Sequence, residues 1–137
     1  MSEADEVVAV ARQWAEKAEN DFLTAKHTLK IKEKCPTDVV CFHAQQCIKK
    51  YLKAILSLRR TDFPKTHNLA ELVRRLPKNV SLQFSVEDQE LLTDYATVTR
   101  YPGDYEPITV KEARRAVSLA RRLRNSLRRY LLQKAVS

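Results

Sequence analysis

Residues 7–29 read VVAVARQWAEKAENDFLTAKHTL, and the spacing of their apolar members decides the fold class. Val7, Ala11, Trp14, Ala18, Phe22, Ala25 and Leu29 recur at steps of three and four, which lays one continuous stripe along a helix. Ser2 is placed to cap it, with Asp5 three residues on. The pattern predicts a helix from Ala4 to Glu33, roughly 45 Å long at about 1.5 Å per residue.

Breakers divide the rest of the chain. Pro36 interrupts, Thr37 can cap, and a second helix is expected from Asp38 to Arg59, with Val40, Ala44, Cys47, Ile48, Tyr51, Ile55 and Leu58 inward. A loop from Arg60 to Lys65 follows. Thr66 is placed to cap a short helix, His67 to Leu76, that stops before Pro77. Ser85 caps a fourth, Val86 to Thr99, with Glu87 and Asp88 in the first turn where the helix dipole favours acids. Thr109 and Glu112 make a capping box opening a fifth helix that runs to Gln133.

A chain of 137 residues, 44% apolar and 31% charged, has enough apolar content for one core and is too apolar for disorder. Its single glycine and five prolines are too few for the turns of a strand-rich domain. The expectation is one domain over residues 1–137, an all-α, antiparallel up-and-down bundle of four to five helices. The longest apolar run, Val7 to Ala11, is far from the roughly 20 residues that span a bilayer. The start Met-Ser-Glu-Ala-Asp-Glu lacks the basic and apolar segments of a secretory signal, so a cytoplasmic protein without membrane contact is expected. Cys35, Cys41 and Cys47 are expected as free thiols, and no metal site or cofactor is implied.

The net charge of +8 has one source. From Thr109 onward there are nine cations and one acid, while the remaining residues carry sixteen of each sign. Arg114-Arg115, Arg121-Arg122 and Arg128-Arg129 repeat every seven residues, which keeps the three doublets on one helix face. Such a stripe suits several phosphates of a nucleic-acid strand, an acidic protein, or neutralisation of acids on neighbouring helices.

Two further clusters stand out. Thr99 to Pro107 contains the sole glycine, and Pro102-Gly103 is the centre of a type II turn. Around it, Arg100 offers a fork for phosphate, or a cap for the fourth helix, and Tyr101 and Tyr105 offer rings or hydroxyls. On the second helix His43, Gln46, Lys50 and Lys53 step by three, four and three, a polar stripe beside the apolar one. Asp21 stands beside Phe22 on the first helix, as an ion-pair partner for Arg100 or as the edge of its stripe.

Four segments together resemble the HEPN family of small helical bundles linked to nucleotide binding. Trp14, Ala18, Asp21, Phe22 and Ala25 are similar to its W-x3-A-x2-D-[LF]-x2-A opening. Phe42-His43-Ala44-Gln45-Gln46, with Lys50 and Lys53, resembles its F-x-A-Q-Q-A-x-E-K-x-L-K-A helix, with Lys49 where the family carries Glu. Thr66-His67-Asn68-Leu69 with Leu72 matches T-H-x-L-x-x-L, and Arg100-Tyr101-Pro102 with Tyr105 matches the R-Y-P before the last helix.

The resemblance implies a homodimer that binds a nucleotide or RNA and works beside a small nucleotidyltransferase in a toxin-antitoxin type pair. Arg100, Lys50 and Lys53 would hold phosphate, Tyr101 or Tyr105 base or sugar, with Gln46, His43 and Asp21 in the same site. Ribonuclease members carry Arg, four to six residues, then His. Here Tyr105 stands at that spacing from Arg100 and no histidine follows His67, and a tyrosine is a poor proton-transfer group near neutrality, so no catalytic residue is assigned. The alternatives are a ribonuclease in which His43 or His67 substitutes, and a purely protein-binding bundle. Dimerisation is also expected from the wide apolar faces of the long helices, with Val7, Val8 and Val10 on the first and Val39, Cys41, Phe42, Leu52 and Leu56 on the second.

Overall fold

The computed structural model describes residues 2–96 and 106–136, with the side chains of 134–136 excepted. Five helices and no strand occur among them: α1 (Glu3–Leu29), α2 (Thr37–Leu58), α3 (Leu69–Arg74), α4 (Val86–Asp94) and α5 (Val110–Val136). Local chemistry sets most starts. The Ser2 hydroxyl accepts from the Asp5 amide at 3.1 Å while the Asp5 carboxylate accepts from the Ser2 amide at 3.2 Å. Ser85 and Thr109 cap α4 and α5 in the same way, accepting from Asp88 and Glu112 amides.

Several boundaries differ from expectation, among them the end of α3, at Arg74 rather than Leu76, and that of α5, at Val136 rather than Gln133. α1 ends at Leu29 rather than Glu33. The chain turns through Lys34 at φ 54 and reaches Pro36 to reverse direction. Thr37 does not cap α2: it is the first helical residue, and its hydroxyl donates to the Ile108 carbonyl at 2.7 Å, tying the starts of α2 and α5 together. Thr66 accepts from the Asn68 amide, so Asn68 becomes the cap and α3 begins two residues later than expected. α4 is described to Asp94, and the expected residues beyond 96 lie outside the described part.

α2 is the central helix and packs against all the others. Ile48, Tyr51, Leu52, Ile55 and Leu56 are fully buried in one core with Phe22 of α1, Leu69 and Leu72 of α3, Leu92 of α4, and Leu123 and Leu127 of α5. Contacts run antiparallel between α1 and α2, where Trp14 meets Lys53 and Asp21 meets His43. They also run antiparallel between α1 and α5, where Phe22 meets Arg121 and Glu19 meets Arg128. With α3 and α4 sharing the third arm, this is an up-and-down bundle.

That third arm corrects the apolar-face argument for a dimer. Cys41, Leu52 and Leu56 are fully buried within one chain, Val7, Val8 and Phe42 are half-buried, and only Val10 and Val39 of that set are exposed. The three cysteines are free, and burial pushes the Cys41 thiol up to about 12. Among the described residues no helix is long and apolar enough to cross a membrane, and no cluster of three metal-ligating side chains occurs.

α2 closes in a Schellman turn. Arg60 takes φ 54, its amide donates to Ser57, and the Thr61 amide donates to the Leu56 carbonyl at 2.8 Å. This aims the following connection back along α2, which brings Phe63 onto Trp14 and His67 onto Lys49.

Candidate functional site

The polar stripe of α2 faces α1 and is met there by one buried acid. Asp21 is 7% exposed, and its two oxygens divide between two partners. Oδ1 accepts from His43 Nδ1 at 2.7 Å and Oδ2 accepts from Lys50 Nζ at 2.6 Å. An ionised carboxylate only accepts, so the His43 proton sits on Nδ1 and Nε2 is left as the ring's second functional nitrogen. The ring stands edge-on to Phe42, and the His43 and Lys50 side chains are about a quarter exposed.

One turn further along α2, Lys53 places its ammonium 5.1 Å from the Trp14 ring centre and 5.6 Å from that of Phe63. The two rings meet edge to face at 6.5 Å. Cation–π contact of this kind holds the ammonium without neutralising it, worth on the order of 0.5–1 kcal/mol. Burial, with Lys50 and Lys65 nearby, lowers the Lys53 pKa from its ordinary value.

Gln46 is 8% exposed and donates to the Gln45 side chain at 2.8 Å, so it lines the site from below rather than reaching out of it. Asp21, His43 and Lys50 are thus brought into contact, with Asp21 paired to α2, and Lys53 stands one turn along. Arg100, Tyr101 and Tyr105, and the Pro102-Gly103 turn, lie outside the described residues.

The stripe on α5 is exposed at all six arginines, but half of it is engaged within the chain. Arg115 reaches Asp88 at 3.3 Å, Arg122 donates to the Gln83 carbonyl at 2.6 Å, and Arg128 reaches Glu19 at 3.2 Å. Arg121 lies 5.7 Å from the Phe22 ring centre. These contacts take the neutralising role considered for the stripe, and they leave its outer surface cationic.

Sequence reasoning gave no role to two groups. The first is Glu19, which gathers Arg124, Arg128 and the Tyr51 hydroxyl at the junction of α1, α2 and α5. The Arg124 guanidinium beside it holds its carboxyl below the usual range. The second is Lys49, 8% exposed, whose Nζ lies 3.5 Å from His67 Nδ1. Burial first, then Lys53 and Lys50, lowers its pKa. The signal available was its departure from the Glu of the resembled motif.

A HEPN domain model matches residues 11–130. The crystal structure of TT1696 from Thermus thermophilus superposes with a TM-score of 0.70 at 28% identity, covering 87% of this chain and 96% of that one. No curated protein is significantly similar.

Proposed function

Because the chain belongs to the HEPN domain family, we propose that it binds a nucleotide or RNA through the cations along the seam of α1 and α2. The observation that carries this reading is the partition of Asp21. One buried acid fixes two donors, His43 and Lys50, at 2.7 and 2.6 Å, while Lys53 one turn away has aromatic rings and no acid partner among the described residues. Held cations in excess over acids are what a phosphate needs. Arg100 is proposed to add a phosphate fork from the loop before α5, and Tyr101 or Tyr105 a contact to base or sugar. The α5 arginines would extend the field along a longer strand.

The test is calorimetric titration with a nucleoside triphosphate and with a short single-stranded RNA. Lys50→Ala and Arg100→Ala should each lose about 1.5–3 kcal/mol of binding, the range for a hydrogen bond to a charged group. Wild-type protein that binds neither ligand at millimolar concentration refutes the reading. The chain is further proposed to work in the cytoplasm as a homodimer beside a small nucleotidyltransferase in a toxin-antitoxin type pair. Light scattering at micromolar concentration that gives the monomer mass would refute the dimer.

One observation favours a second reading. Asp21 orients His43 as an acid orients a general base, leaving Nε2 to exchange a proton. A metal-independent ribonuclease would use it so. RNA cleavage that survives rigorous purification and vanishes in His43→Ala would establish that activity, whereas RNA intact over hours supports a binding module.

A further inference from the structure

Lys49 is a buried cation with no carboxylate in contact among the described residues. Its side chain is buried, and its ammonium has three protons to place. Its polar neighbour among the described residues is His67 Nδ1, at the long distance of 3.5 Å. Among the same residues no carboxylate forms an ion pair with Lys49, Lys53 or Lys65, and Asp21 is already divided between His43 and Lys50. Burying an ammonium without a counter-charge in direct contact is strongly unfavourable, and the Asp21 carboxylate acts on Lys49 only through space while it is bonded to His43 and Lys50. The lowered pKa values of Lys49 and Lys53, caused by burial and by neighbouring lysines and only partly offset at Lys49 by Asp21, report the same imbalance.

The spacing bears on what balances it. Lys49 and Lys53 are four residues apart on α2, about 6 Å along the axis, with Lys50 beside them. A row of cations over one helical turn suits the extended charge of a linked di- or triphosphate better than the compact charge of a single phosphate. His67, on the connection that the Arg60 turn folds back, closes the open side of Lys49.

We propose that Lys49, Lys53 and His67 form a second anion subsite beside the Asp21 pair, so that the ligand carries a di- or triphosphate. The proposal rests on the nucleotide or RNA reading and narrows it. A free nucleoside triphosphate and the 5′-triphosphate end of an RNA share this chemistry.

The experiment compares, by calorimetry in magnesium-free buffer, ATP, AMP and inorganic tripolyphosphate, with 5′-triphosphorylated and 5′-hydroxyl forms of one short RNA. Wild-type protein should bind ATP at least tenfold more tightly than AMP and should bind tripolyphosphate alone. Lys49→Met keeps the apolar stem and removes the buried charge. It should bring the ATP-to-AMP ratio near one and raise Tm, while Lys49→Arg keeps the preference. Should Lys49→Met not fold, Lys53→Gln must show the same loss of preference. A preference for triphosphorylated RNA over ATP assigns the subsite to RNA ends, and the reverse assigns it to free nucleotides. Equal binding of ATP and AMP overturns the subsite but leaves the nucleotide reading standing, and absence of binding by every probe overturns both.

Discussion

Glu19 and Asp21 stand two residues apart on α1, about 200° around the helix, and so face different seams of the bundle. Both are acids with cationic partners, yet the two seams are built differently. Glu19 is surrounded: Arg124, Arg128 and the Tyr51 hydroxyl all converge on it, and Arg124 also lies 4.7 Å from the Phe22 ring centre. Its charge is consumed in fastening α5 to α1 and α2. Asp21 fastens only His43 and Lys50, and the cations beyond them, Lys49 and Lys53, are left to a ring nitrogen and two aromatic faces. An acid that all its neighbouring cations contact is a clamp, and an acid with further cations beyond its contacts prepares a site.

That contrast can be broken by exchanging consequences. Glu19→Ala leaves the partly buried Arg124 uncompensated and should cost about 2–3 kcal/mol of stability in urea unfolding, with nucleotide affinity unchanged in the folded fraction. Asp21→Asn should do the reverse, weakening ATP or RNA binding at least tenfold and costing about 1 kcal/mol of stability. Equal effects of the two substitutions on binding would erase the distinction.

The pH dependence sharpens it. The Glu19 carboxyl lies below its ordinary value of 4.5 in the folded chain, so below that pH the unfolded state binds the proton more readily. Stability contributed by Glu19 is therefore complete above the unfolded value and is lost as pH falls through the folded one. Lys49 shifts stability in the same direction with pH but starts from a penalty: its folded pKa is lowered, so it destabilises the fold at neutral pH, and the penalty is relieved as pH rises from that lowered value toward the ordinary 10.5. Unfolding free energies of Glu19→Gln should lose part of the wild-type acid-limb slope, and those of Lys49→Met part of the alkaline rise.

The smallest expected effect concerns the arginine stripe. Arg121→Ala with Arg122→Ala should flatten the dependence of log K for single-stranded RNA on log salt by roughly one unit, at about 0.7 per phosphate engaged. An unchanged slope would confine the stripe to its intramolecular contacts with Phe22, Gln83, Asp88 and Glu19.

How much of this was legible in the sequence follows the range of each interaction. Helical periodicity located α1, α2 and α5 because apolar spacing and caps such as Ser2, Ser85 and Thr109 act within a few residues. The His43, Gln46, Lys50, Lys53 stripe was legible for the same reason. The Glu19 clamp was not, since its arginine partners lie more than a hundred residues away on α5. The Lys49–His67 contact depends on a left-handed Arg60, a conformation no local propensity favours for arginine. Cys41, Leu52 and Leu56 read as a spare apolar face because the sequence does not say that the short α3–α4 arm packs on α2.

Everything proposed for the site requires that phosphate be held at the seam of α1 and α2. Amide chemical-shift mapping of the labelled protein against a nucleoside triphosphate probes that seam residue by residue. The largest shifts are expected at Asp21, His43, Lys49, Lys50 and Lys53, saturating together with one affinity. Shifts confined to the exposed arginines of α5, with the α1–α2 seam unmoved at saturation, would place the phosphate elsewhere and refute the site.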